Sequence, residues 1–177
     1  MDAPTAFRQQ LLAAIPRLRR YARALVQNAD LADDVVQTAL ERALSHWHQF
    51  DQRRDILVWL VSIAHNAYMD EYRRHSRLQA MDPQQAQDML DSRQPESGFD
   101  MGLRIDLLAA LQALPIDQRE PLLLVTLEQL SYAQCAEILR VPIGTVMSRI
   151  SRARSALRVL LDSGALPAES RTLRRVV

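Results

Sequence analysis

The chain has 177 residues, 48% of them hydrophobic, enough for the core of one or two domains. Its basic residues are all arginines and nearly balance the acids, for a net charge of +1, so the total announces neither a polycation nor a polyanion. The single cysteine, Cys135, excludes an internal disulfide framework, no apolar run could span a bilayer, and no leader-like start is visible, so the expected location is the cytoplasm.

Few glycines and no alternating apolar pattern predict an all-helical chain. Helical spacing runs from Phe7 to about Val26, then from Leu31 to Trp47, with Asp30 as a cap and Leu31, Val35, Thr38, Ala39 and Arg42 in register. A third helix is predicted over Ile56 to Arg74, where Leu60, Ile63, Ala64 and Ala67 make an inward stripe while His65, Asn66, Met69, Tyr72 and Arg73 spread over other faces. Trp47, Phe50, Trp59, Tyr68 and Tyr72 interleave here with Arg53, Arg54, Arg73, Arg74 and Arg77. That mixture suits unstacked bases on a single strand, and core packing accounts for the aromatics equally well.

Acids outnumber arginines only between residues 81 and 102, where prolines, a glycine and many Gln, Asp and Ser residues read as a linker. Beyond it, helices are predicted from Leu103 to Leu114 and from Pro115 to Gln129. The fold expected is therefore all-α: two small helical domains, about 5–78 and 103–161, joined by a flexible acidic linker, 79–102. A basic tail, 162–177, carries Arg171, Arg174 and Arg175.

The most informative stretch is LSYAQCAEILRVPIGTVMSRISRARSAL, residues 130–157. Ser131 is a good N-cap for a helix over Tyr132 to Leu139, and Arg140 to Pro142 form a short turn into the next helix. At about 100° per residue, Val146, Ile150, Ala153 and Leu157 share one side of that second helix, while Ser148, Ser151, Arg152 and Ser155 point away. A helix-turn-helix with serine and arginine on its outer face suits the major groove, since a guanidinium can fork onto a guanine edge or clamp a phosphate.

Enzyme chemistry finds no foothold. His46 and His48 are two apart and so lie on different sides of a helix, and His65 and His75 are isolated. No partner stands at metal-ligand spacing, and no glycine-rich phosphate loop or nucleophile motif occurs. Neither a metal nor a cofactor is expected.

Taken in order, DLADDVVQTALERAL, WLVSIAHNAYMDEYRR and LQALPIDQREPLLLVTLEQLSYAQCAEILRVPIGTVMSRISRARSAL resemble the bacterial extracytoplasmic-function sigma factors of the sigma-70 family, over residues 5 to 161. The LPxxxRE phrase ahead of a helix-turn-helix ending GTVxSRxxRAR carries the specificity of the match. The resemblance implies that the first domain docks on bacterial core RNA polymerase and opens the minus-10 element. It implies that the second reads the minus-35 element of promoter DNA.

The residues carried over for polymerase docking are Asp33, Asp34, Gln37 and Glu41, although a helix-dipole role suits Asp33 too. For the minus-10 element they are Asn66, near the extruded base, with Arg73 and Arg74 on the backbone. For the minus-35 element they are Ser148, Arg149 and Arg152, supported by Thr145, Ser151 and Arg154. One position departs: the family usually has lysine or arginine where this chain has Met147, so its promoter preference cannot be copied from a relative. The resemblance also implies an anti-sigma factor as a partner, and no membrane insertion. The rival reading is a two-domain helix-turn-helix regulator that binds duplex DNA without polymerase, which differs in having no need to open a strand.

Overall fold

The computed structural model describes residues 3–26, 28–81 and 101–162. Within them the chain is helical throughout: α1 (Thr5–Leu25), α2 (Ala29–Ser45), a 3-10 turn (Trp47–Gln49), α3 (Ile56–Met81), α4 (Met101–Ala113), α5 (Ile116–Thr126), α6 (Tyr132–Leu139) and α7 (Ile143–Asp162). Packing divides these into two units, α1 to α3 and α4 to α7. The expected linker and tail lie almost entirely outside the described residues.

In the first unit three helices pack on one another pairwise. Phe7, Leu11, Leu18, Tyr21 and Leu25 of α1 meet Ala32, Val35, Val36, Ala39 and Ala43 of α2, and Leu57, Leu60, Val61, Ala64 and Tyr68 of α3 complete the core. Alanines on α2 let its backbone come close, so the larger side chains of its neighbours fill the space. Pro16 removes one donor from α1, but it stands on the exposed face, where water can satisfy the orphaned carbonyl.

The cap of α2 is a correction to the sequence reading. Asn28, not Asp30, takes the role: its Oδ1 accepts from the Leu31 backbone N–H at 3.0 Å. Asp30 sits in the first turn, where its charge complements the helix dipole. At the other end His46 Nδ1 lies 2.9 Å from the Arg42 carbonyl, closing α2 two residues short of Trp47. Asp55 caps α3, accepting from the Leu57 N–H at 2.8 Å.

Two aromatics also belong elsewhere than a base-stacking platform. Phe7, Phe50 and Trp59 form a cluster with ring centroids 5.2 to 6.1 Å apart, and Phe50 is buried. Tyr68 is buried as well, against Tyr72, which stays exposed. The core has taken up the large apolar surface of Phe50 and Tyr68, as hydrophobic burial favours.

The second unit is built around α7. Its Val146, Ile150 and Ala153 are buried with Leu122, Leu123 and Leu124 of α5, Cys135 and Ile138 of α6, and Ala110 and Leu111 of α4. Leu157 is only half-buried, so the apolar stripe thins toward the helix end. Helix α5 stops at Thr126, short of the expected Gln129, which adopts a left-handed φ of 56° and turns the chain toward α6.

The phrase LPxxxRE proves to be a staple. Pro115 starts α5, and the buried Arg119 donates through Nη2 to the carbonyls of Gln112 (2.7 Å) and Leu114 (2.9 Å), closing the open C-terminus of α4. Burial pushes the Cys135 thiol up to about 11, with nearby Glu120 adding to the rise against a backbone hydrogen bond that lowers it.

Candidate polymerase and promoter interfaces

The helix-turn-helix is fixed by local hydrogen bonds. Ser131 Oγ accepts from the Gln134 N–H at 3.2 Å while Gln134 Oε1 accepts from the Ser131 N–H at 2.8 Å, a complete capping box. Arg140 then takes a left-handed conformation (φ 53°, ψ 44°) that ends α6, with the Val141 N–H donating to the Ala136 carbonyl. The Pro142 carbonyl accepts from Thr145 and Val146 and opens α7.

On α7 the predicted readers separate by side. Ser148, Ser151 and Arg152 are exposed on the side away from the buried Val146, Ile150 and Ala153, and Arg154 is exposed beside that buried stripe. Ser148 donates to the Thr145 carbonyl at 3.0 Å, and Arg152 lies over Ser148, 3.4 Å from its hydroxyl and from its carbonyl. Arg149 and Thr145 are half-buried on the flank, and Arg149 pairs through Nε with Asp117 of α5 at 3.7 Å. Sequence reasoning missed Asp117, whose signal was its place inside the LPxxxRE phrase.

In the first unit the four docking candidates do not form one group. Asp33 turns toward α1, where Arg19 and Arg23 approach it at 3.6 and 3.5 Å. Asp34, Gln37 and Glu41 line a groove of 420 Å³ between α2 and α3, floored by Leu31, Val35 and Ala67. Gln37 donates to Glu41 at 2.9 Å, so the two side chains act as a pair. The opposite wall, which sequence reasoning did not single out, is Asp70 and Glu71 of α3. Arg42 reaches across to Asp70 at 3.5 Å.

The minus-10 candidates separate as well. Seven residues carry a helix through nearly two whole turns, so Asn66 and Arg73 stand about 20° apart on one side of α3. Arg74 is turned about 100° from Arg73, lines the α2–α3 groove and pairs with Glu71 at 2.9 Å. Among the described residues no group of His, Cys, Asp and Glu is placed to hold a metal ion, and no helix is long and apolar enough to cross a membrane.

The chain is similar to known proteins in both sequence and fold. Residues 104–157 match the family described as Sigma-70, region 4, and residues 11–65 match the Sigma2 domain of PhyR. The chain is 38% identical over 162 residues to the ECF RNA polymerase sigma factor EcfG of Rhodopseudomonas palustris (strain TIE-1), covering 91% of this chain and 88% of the relative. It is 33% identical over 135 residues to the ECF RNA polymerase sigma factor SigC of Mycobacterium tuberculosis (strain CDC 1551 / Oshkosh), covering 76% and 72%. Among solved structures, the sigma factor RpoE bound to the anti-sigma factor NepR, from Bartonella quintana, superposes with a TM-score of 0.76 at 31% identity, over 90% of this chain and 98% of that one. CnrH in complex with the cytosolic domain of CnrY gives 0.64 at 26% identity, over 90% of each chain. With a region 4 match on its helix-turn-helix unit and this identity to EcfG across nine-tenths of its length, the chain belongs to the extracytoplasmic-function RNA polymerase sigma factors, alternative sigma factors that direct transcription with RNA polymerase.

Proposed function

We propose that the two units divide promoter recognition between them. The α7 face of Ser148, Ser151 and Arg152 reads minus-35 duplex DNA, with Thr145, Arg149 and Arg154 at its edges. Asn66 and Arg73 of α3 meet the minus-10 element as it opens. The observation that carries this reading is the polar side of α7, left exposed while the opposite side is buried in a doubly capped helix-turn-helix.

Core polymerase docks on α2, where Asp34, Gln37 and Glu41 offer a carboxylate-rich groove to basic side chains. Asp33 serves this surface from behind, by holding α2 against the arginines of α1. Arg74, which lines the α2–α3 groove and pairs with Glu71, stands at the border between this surface and the minus-10 set of Asn66 and Arg73. The site of action is the cytoplasm, with core polymerase and promoter DNA as partners. An anti-sigma factor is the expected inhibitor, since RpoE and CnrH were both solved bound to a partner, NepR and the cytosolic domain of CnrY, the first named as an anti-sigma factor.

The test is transcription in vitro from a fragmented library of the source genome, with purified core RNA polymerase, with and without this chain. New transcripts that share two upstream elements support the reading. No new start sites, with tight binding of duplex DNA by the chain alone, would overturn it in favour of a free-standing regulator.

A further inference from the structure

The outer surface of α7 is not uniformly polar. Ile143 and Met147 are 48% and 52% exposed, two of the larger apolar side chains left in water. They stand four residues apart on a helix, which makes them neighbours on one ridge. At about 100° per residue that ridge continues through Ser151 and is bordered by Arg154 and Arg158, all three exposed. The opposite edge of the exposed face, Ser148 and Arg152, is purely polar. Helix α7 thus presents two unlike edges at the end that would enter the major groove.

The N-terminal turns of a recognition helix are the part that reaches base edges. Apolar side chains there have one good target, the C5-methyl group of thymine, the only apolar group on a major-groove base edge. Methionine suits this contact because its unbranched thioether adapts to the position of a methyl group. The neighbouring Arg154 and Arg158 favour an anionic partner over an apolar protein surface, which gives the ridge continuity with a phosphate-lined groove. Gly144 lies between the two on the same turn, and a side chain there would meet nothing within 4 Å, so the backbone can approach DNA closely.

We infer that Ile143 and Met147 form a thymine-methyl reader that sets the base preference of this chain within the minus-35 element. The inference rests on the proposed minus-35 role of α7.

The experiment uses the holoenzyme, this chain with core RNA polymerase, on a promoter mapped by its transcripts. Each thymine of the upstream element is replaced in turn by deoxyuridine, which removes the 5-methyl group and keeps every hydrogen-bonding atom. Open-complex formation is then measured with the unaltered chain and with Met147→Ala, Ile143→Ala and Met147→Leu. The expected result is a loss of about three- to fivefold at one or two positions, the size of burying a methyl group. That sensitivity should vanish in Met147→Ala or Ile143→Ala and persist in Met147→Leu.

Equal activity on all deoxyuridine promoters overturns the inference, as does a sensitivity that survives both alanine variants. So does a uniform loss of core polymerase binding in Met147→Ala, which would assign the ridge to a protein partner. Absence of promoter-specific transcription by the unaltered chain is a different result, because it removes the minus-35 reading itself. Both side chains are half-exposed, so the alanine variants keep the core intact.

Discussion

Arg149 Nε stands 3.7 Å from Asp117 Oδ2, an ion pair that joins the flank of α7 to the first turn of α5. The pair uses Nε and leaves the two terminal nitrogens, the ones that fork onto a guanine edge or a phosphate, outside that contact. Asp117 therefore orients the guanidinium and also draws it toward its own helix. Its carboxylate is half-exposed, so the contribution to stability is small, within about 1 kcal/mol.

Asp117→Ala should lower the melting temperature only slightly while it frees a cation beside the proposed minus-35 face. Binding to unrelated duplex should strengthen, with a steeper dependence on salt. Discrimination between a matched and a mismatched minus-35 duplex should fall. A variant that melts several degrees lower and discriminates as well as the parent would make the pair purely structural.

Asp33 holds two arginines of α1, and its Oδ1 is buried without a hydrogen bond. Removing the charge in Asp33→Asn should destabilise the first unit by about 1 kcal/mol. Its effect on core polymerase affinity should be smaller than that of Asp34→Ala or Glu41→Ala, which remove carboxylates from the groove itself. Paired measurements of thermal unfolding and polymerase binding separate the two roles. A larger affinity loss for Asp33→Asn than for the groove variants would return Asp33 to the docking surface.

Much of this was legible in the sequence because the signals were local. Ser131 followed three residues later by Gln134 is a capping pattern, and the apolar period of α7 fixed its buried side before any neighbour was known. Asn28 and Asp30 are both good caps, and only the backbone geometry decides which one reaches the Leu31 N–H. Asp33 and Asp34 face different neighbours for a similar reason. Adjacent residues on a helix point about 100° apart, so one met α1 and the other the α3 groove. Nothing local marked Arg119 as buried, since a buried arginine is rare until two carbonyls at a helix end are brought to it. The pairing of Arg149 with Asp117, more than thirty residues apart, left no periodic trace at all.

The Cys135 thiol has no solvent exposure and its pKa is raised from 9.0 to about 11 by loss of hydration. The folded state holds the proton more tightly than the unfolded one, so this group's contribution to stability is full below pH 9 and is lost as pH rises toward 11. At neutral pH the thiolate is too scarce for fast alkylation. Iodoacetamide should label Cys135 only as fast as the second unit opens, and in denaturant the rate should rise sharply. Rapid labelling of the folded chain at pH 7.5 would contradict the buried position.

Phe50 tests whether the aromatics before α3 serve the core or the DNA. Its ring packs against Phe7 at 5.8 Å and Trp59 at 5.2 Å, tying the start of α1 to the loop that leads into α3. A buried phenylalanine cut back to alanine leaves a cavity and costs about 3 to 5 kcal/mol. Phe50→Ala should therefore lower the unfolding midpoint strongly, and Phe50→Leu, which refills most of the volume, should recover much of it. Promoter opening by the Phe50→Leu holoenzyme should stay close to that of the parent, because an aliphatic side chain preserves the packing but cannot stack on a base. A Phe50→Leu variant that folds stably, binds core polymerase normally and fails to open the minus-10 element would mean that the ring leaves the core when DNA arrives.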